Sequence, residues 1–156
     1  MNTNTTRLNR RQILKAAGGL GIMAFGASMS PMAFAAWNKA AFEAKSLSDV
    51  YSALGAGSPS NSGDVQIVAS DIAENGAVVP IQAVSKLPNT EQISILVEKN
   101  PSALAALFNL TADTLPEVTT RIKMGQTSNV TVLVKAGGKY YTATKEIKVT
   151  LGGCGG

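Results

Sequence analysis

The chain has no histidine and only one cysteine among its 156 residues. Without histidine there is no Ser-His-Asp triad, no Cys-His nucleophile pair and no imidazole-bound metal. A single cysteine makes no internal disulfide, and alone it builds neither a zinc ribbon nor an iron–sulfur centre. A Cys-x-x-Cys-His haem motif is also absent. Long apolar runs are missing too. Residues 16–29 are apolar but are diluted by Gly18, Gly19, Gly21 and Gly26, and they fall short of the ~20 residues a membrane span needs. Excess charge is confined to one end. There are 14 Lys and Arg against 10 Asp and Glu, but Arg7, Arg10, Arg11 and Lys15 all lie in the first 15 residues. The remainder is balanced, so the net +4 does not indicate a nucleic-acid or membrane surface on the folded domain.

What is present at the N-terminus reads as an export signal. Residues 9–15 are Asn-Arg-Arg-Gln-Ile-Leu-Lys, which places the pair Arg10 and Arg11 ahead of the apolar stretch. Ala33-Phe34-Ala35 then offers small residues for cleavage, with Ala33 and Ala35 at the recognised positions. The pattern is that of a twin-arginine signal, the kind that exports proteins already folded, and it predicts a periplasmic location. The alternative is an amphipathic N-terminal helix of the mature domain. A lipoprotein anchor would need a cysteine near the cleavage site, and there is none. The expected organisation is a signal over 1–35, a helix and loop over 36–63, a β domain over 64–151 and a tail over 152–156.

Within the mature chain, residues 38–54 are expected to be helical. Leu47, Val50, Tyr51 and Leu54 recur at helical spacing, with Ser46 as a start and Gly55 as a stop. Residues 55–63 are rich in Gly, Ser, Pro and Asn and read as a loop. Seven β-prone runs follow, at 65–70, 77–84, 92–98, 104–109, 117–123, 129–135 and 140–151. They are separated by Glu74-Asn75-Gly76, Leu87-Pro88-Asn89, Asn100-Pro101, Leu115-Pro116, Gly125 and Gly137-Gly138. The last pair fits a two-residue hairpin turn. Seven short strands at this spacing predict an all-β, antiparallel sandwich, with the helix packed outside it or against a partner.

The chemistry lies in the tail. Residues 152–156 read Gly-Gly-Cys-Gly-Gly. A structural cysteine is normally packed among apolar neighbours, whereas Cys154 is flanked by Gly152, Gly153, Gly155 and Gly156. Glycines make the tail thin, mobile and exposed, able to enter a narrow cleft of another protein. Extended, the chain places Cys154 ~10 Å beyond Leu151, at ~3.3–3.6 Å per residue. An unperturbed thiol has a pKa of ~8.5 and is only about 3% thiolate at pH 7. No basic residue adjoins Cys154 in the sequence to lower that value, so it makes a poor catalyst alone. It suits a carrier that is activated inside a partner's site. Two rivals share the same residues. One is a binding module joined to itself or a partner through an intermolecular Cys154 disulfide. The other is an independent thiol redox enzyme, which the lack of a second cysteine disfavours. Glu74-Asn75-Gly76 reads as a turn, because the regular spacing of calcium ligands is absent.

The closing Lys-Val-Thr-Leu-Gly-Gly-Cys-Gly-Gly resembles the end of the SoxY family, the sulfur-carrier subunits of the periplasmic Sox thiosulfate-oxidising system. The likeness continues through residues 72–80, 97–101, 116–122, 128–130 and 134–139, and it includes the twin-arginine leader. It implies an immunoglobulin-like sandwich paired with a SoxZ subunit. It also implies sulfur intermediates held covalently on Cys154, with no metal and no other cofactor. The resemblance further implies partners that do the chemistry. These are a SoxAX-type haem enzyme that loads thiosulfate, a SoxB-type hydrolase that releases sulfate and, where present, a SoxCD-type dehydrogenase. In that family SoxZ lacks its own signal, which implies joint export as a folded complex.

Overall fold

The computed structural model describes residues 38–150, which form two short helices and nine strands. The helices are α1 (Lys39–Glu43) and α2 (Leu47–Leu54). The single helix expected over 38–54 is therefore broken. Ala44 is extended, and its carbonyl accepts the N–H of Ala103 at 2.9 Å, so it leaves the helical ladder. Ser46 then starts α2, its hydroxyl accepting from the Asp49 N–H at 3.2 Å. Gly55 ends α2 in the left-handed region at φ 70, where glycine carries no side-chain penalty. Asn38 ties the two helices together, since it caps the Ala41 N–H and donates its side-chain amide to the Ala53 carbonyl at 2.9 Å.

The strands are β1 (Ser60–Asn61), β2 (Val65–Val68), β3 (Ile72–Ala73), β4 (Val79–Ser85), β5 (Thr90–Val97), β6 (Leu104–Asn109), β7 (Glu117–Ile122), β8 (Ser128–Ala136) and β9 (Lys139–Val149). Seven of them fall on the seven expected runs. The larger sheet has the order β1-β9-β8-β5-β6, with β3 also paired to β9, and the smaller has the order β2-β4-β7. All pairings are antiparallel except those of β1 and β3, which run parallel to β9. These two strands are two residues long, too short to show a period in sequence. The fold is thus an all-β, immunoglobulin-like sandwich.

The core between the sheets joins Ile93, Ile95 and Val97 of β5 with Val130, Val132 and Val134 of β8. Facing them are Val65, Val79, Ile81, Ala83 and Ile122. A second cluster covers the outer face of the larger sheet, where Leu96, Leu104 and Leu133 meet Ala41, Ala44 and Val50 of the helical segment. β5 over 93–97 and β8 over 130–134 are therefore buried on both faces, with Ser94 and Thr131 the polar residues among apolar ones there. Each large side chain buried in this way contributes roughly 1.5–3 kcal/mol. The β8–β9 hairpin closes on Gly137 and Gly138, both at positive φ, as the two-residue turn requires.

Candidate functional site

Cys154 and its neighbours Gly152, Gly153, Gly155 and Gly156 lie outside the described residues, as do Arg10, Arg11, Ala33 and Ala35. What the structure describes is the root from which the tail departs. The β8–β9 ladder ends at the pair Ser128–Ile147. Beyond it, three successive backbone donors find other acceptors. The Lys148 N–H is accepted by the Asp71 carbonyl at 2.9 Å, and the Thr150 N–H by the Ala73 carbonyl at 3.1 Å. The Val149 N–H points to the opposite side and is accepted by the Thr127 hydroxyl at 3.0 Å. The alternation is that of a strand whose backbone groups face left and right in turn. Strand geometry thus persists for three residues past the end of its main partner.

The segment that accepts two of these bonds is itself pinned. The Lys145 ammonium donates to the Ala69 carbonyl at 2.6 Å and pairs with the Asp71 carboxylate at 2.8 Å. Lys145 beside Asp71 holds that carboxyl below its ordinary range, through the hydrogen bond first and the charge second, with Lys148 adding a smaller pull. The next turn is Glu74-Asn75-Gly76, as expected from the sequence. The Asn75 side-chain oxygen accepts the Ala77 N–H at 2.9 Å, and its carbonyl accepts the Val78 N–H at 3.2 Å. Gly76 is required by close approach, because a Cβ there would sit 2.4 Å from the Met124 carbonyl oxygen and 2.8 Å from Val149 Cγ1. The root is therefore packed from the strap side as well as bonded to it.

A groove of about 520 Å³ lies beside this strap, lined by Ile72 and Ala73 together with Val68, Val78, Val79 and Ile81 among others. Three of the large apolar residues most exposed on the described surface, Val68, Ile72 and Val78, belong to it. Among the described residues no group of His, Cys, Asp or Glu gathers as a metal site. The other perturbed ionisable groups lie away from the root. Glu91 is lowered by its 2.9 Å contact to Lys135 and by the Gly138 N–H, Lys135 is raised by Glu91, and Tyr51 is raised by burial.

A family model described as sulfur oxidation protein SoxY matches residues 51–154. The chain belongs to the SoxY family. The match spans the sandwich and ends on Cys154. A solved structure of the sulfur carrier protein SoxY from Chlorobium limicola f thiosulfatophilum is 41% identical, with a TM-score of 0.58, over 66% of this chain and 96% of that one. Two solved structures of the superoxide reductase (neelaredoxin) from Ignicoccus hospitalis, one of them of a variant with a single substitution, share the fold alone, at 17% identity and a TM-score of 0.50, over 55% of this chain and 79% and 80% of theirs. A comparison with curated proteins finds no match. The SoxY resemblance read from the tail and the internal segments is thus family membership. Sequence reasoning did not find the residues that hold the tail root: Asp71, Ala73, Gly76, Thr127 and Lys145. No local pattern marks their role, because Asp71, Ala73, Gly76 and Thr127 meet a part of β9 far from them in the chain, and Lys145 of β9 meets Ala69 and Asp71 as remotely.

Proposed function

We propose that Cys154 carries sulfur intermediates covalently and presents them to separate enzymes during thiosulfate oxidation. The carrier role rests on membership of the SoxY family, and one observation carries the site: the family match runs through the sole thiol of the chain, four residues past Thr150, the last anchored backbone donor among the described residues. Extended, four residues place that thiol at most ~14 Å from Thr150, at ~3.3–3.6 Å each. That distance is enough to reach into a cleft while the sandwich stays outside it.

The steps balance as follows. Loading joins the Cys154 sulfur to the sulfane sulfur of thiosulfate, giving an S-thiosulfonate and releasing one proton and two electrons. A SoxAX-type haem enzyme takes those electrons. Hydrolysis by a SoxB-type enzyme consumes one water, breaks the bond to the sulfone and releases sulfate and two protons, leaving a persulfide anion on the carrier. A SoxCD-type dehydrogenase removes six electrons from that sulfur with three waters, and a second hydrolysis restores the thiol. This chain supplies the attachment atom and its reach, and the oxidants and hydrolytic groups come from the partners. The bound intermediate is anionic throughout, so partner clefts should meet it with basic residues or a metal. A SoxZ-like subunit completes the carrier, and the twin-arginine leader exports the folded pair to the periplasm.

Cys154→Ser tests the site. The variant should fold as the parent does, with unchanged circular dichroism and unfolding midpoint, and it should abolish thiosulfate-dependent respiration. Retained respiration would overturn the assignment.

A further inference from the structure

The smaller sheet leaves part of one strand unpaired. The β2–β4 ladder ends at Val68–Gln82, whereas β4 runs on to Val79 and stays paired to β7 as far as Val79–Ile122. After Val68 the chain crosses to the larger sheet, where Ile72 and Ala73 pair with β9. Residues 79–81 of β4 therefore have a sheet neighbour on one side only. The groove of about 520 Å³ lies along that stretch, lined there by Val78, Pro80 and Gln82 and opposite by Val68 and Ile72.

Bond parity fixes which backbone groups face it. The Lys86 N–H is accepted by the Asp64 carbonyl at 2.8 Å, and the Ser85 N–H by the Pro116 carbonyl at 2.9 Å. Sides alternate along an antiparallel ladder, so the even-numbered residues of β4 face β2 and the odd-numbered ones face β7. Pro80 thus faces the open side, and it brings a carbonyl but no N–H. The neighbouring Val78 N–H is already accepted by the Asn75 carbonyl at 3.2 Å. Among the described residues no donor meets the carbonyl of Pro80 or of Val78. Glu74 is the charged residue of the lining, and it takes part in none of the ion pairs of the described residues.

We propose that the groove receives an extended segment of a partner protein, laid beside β4 in line with β2. Its apolar side chains cover Val68, Ile72 and Val78, its backbone N–H groups meet the Pro80 and Val78 carbonyls, and a basic residue meets Glu74. Exposed apolar side chains gathered in one groove mark an interaction site. Strand addition at an open sheet edge is a recurring way of binding a peptide. The groove offers acceptors and a carboxylate, so charge complementarity asks for donors and a cation. A second copy docked through the same groove brings acceptors to acceptors and Glu74 to Glu74. An apolar small molecule leaves the carbonyls and Glu74 unanswered. The inference uses no residue of the tail and holds whatever Cys154 carries.

The test adds a blocked hexapeptide, one lysine followed by alternating valine and threonine, to the isotope-labelled exported protein. Amide resonances of Ser70, Ile72, Val79 and Gln82 should shift, with a Kd of about 1 mM or below. Two further peptides carry N-methyl groups on alternate residues, one on each set. Methylation of the set that faces β4 should weaken binding by about tenfold, and methylation of the other set should leave it unchanged. Val68→Ser and Ile72→Ser should each weaken binding of the parent peptide; both side chains are about half exposed, at 55% and 53%, so either variant serves if the other does not fold. Glu74→Gln should weaken the parent peptide and leave one with glutamine for lysine unaffected. No shift in these resonances would overturn the proposal. Equal binding of the two methylated peptides would also overturn it, by assigning the groove to an apolar ligand without strand pairing. A dimer in sedimentation that Ile72→Ser dissolves would give the groove to a second copy, and that too would overturn it.

Discussion

Gly76 shows how one missing side chain supports the tail root. A methyl group there would press on the Met124 carbonyl and on Val149, and the Met124 N–H is also bonded to the Gly76 carbonyl at 2.7 Å. Backbone cannot yield as a flexible side chain can. Gly76→Ala should therefore destabilise the fold by about 1–3 kcal/mol, the usual cost of forcing extra volume into a packed site. Urea unfolding measures it, and a variant as stable as the parent would show that the strap moves freely away from β9. Nothing near Gly76 in the sequence announces this. The clash comes from two residues remote in the chain, whereas the turn itself was legible from Asn75 and Gly76. Cys154 is the opposite case: a thiol flanked by four glycines is so unlike a core cysteine that the sequence alone singles it out, while it lies outside the described residues.

Elements carry their own signals when they are long. The seven main strands and the Gly137-Gly138 turn were legible because a period or a turn pair spans each of them. The break between α1 and α2 was not, because it depends on Ala103 claiming the Ala44 carbonyl across the fold. β1 and β3 escaped for want of length. Side-chain clamps between elements are equally silent in sequence, and one of them should respond to pH. Glu91 of β5 pairs with Lys135 of β8 and accepts the Gly138 N–H at 3.1 Å, fastening the hairpin turn to its neighbour. Its carboxyl is held below the ordinary value, so its contribution is present above the unfolded carboxylate range of ~4.3 and is lost as pH falls through the lower folded value. The pair is exposed, so the effect on overall stability should be small. The Gly138 amide resonance should titrate at that low pH, and Glu91→Gln should remove the titration. A Gly138 amide shift that titrates unchanged in Glu91→Gln would assign the effect elsewhere.

At the scale of the molecule, two layers of burial give the tail a rigid base. The inter-sheet core fixes β8 and β9, and the helical segment covers the other face of the same sheet. Seven short strands at regular spacing revealed a sandwich in the sequence, but not which face the helices would take, because that depends on Leu96, Leu104 and Leu133 meeting Ala41, Ala44 and Val50 across the fold. The rest of the surface is electrically balanced once the N-terminal basic residues are set aside, which leaves the tail as the chemically distinctive feature. The proposed function assigns a division of labour to these parts: a stable sandwich to hold the arm, one thiol to hold the sulfur, and enzymes elsewhere to change it. Intact mass of the mature protein from thiosulfate-grown cells, before and after reductant, tests that directly. Added mass matching a thiosulfonate or extra sulfur atoms, located on Cys154 and lost on reduction, is the expected result. A bare thiol, or only a Cys154–Cys154 dimer while thiosulfate is being consumed, would contradict it.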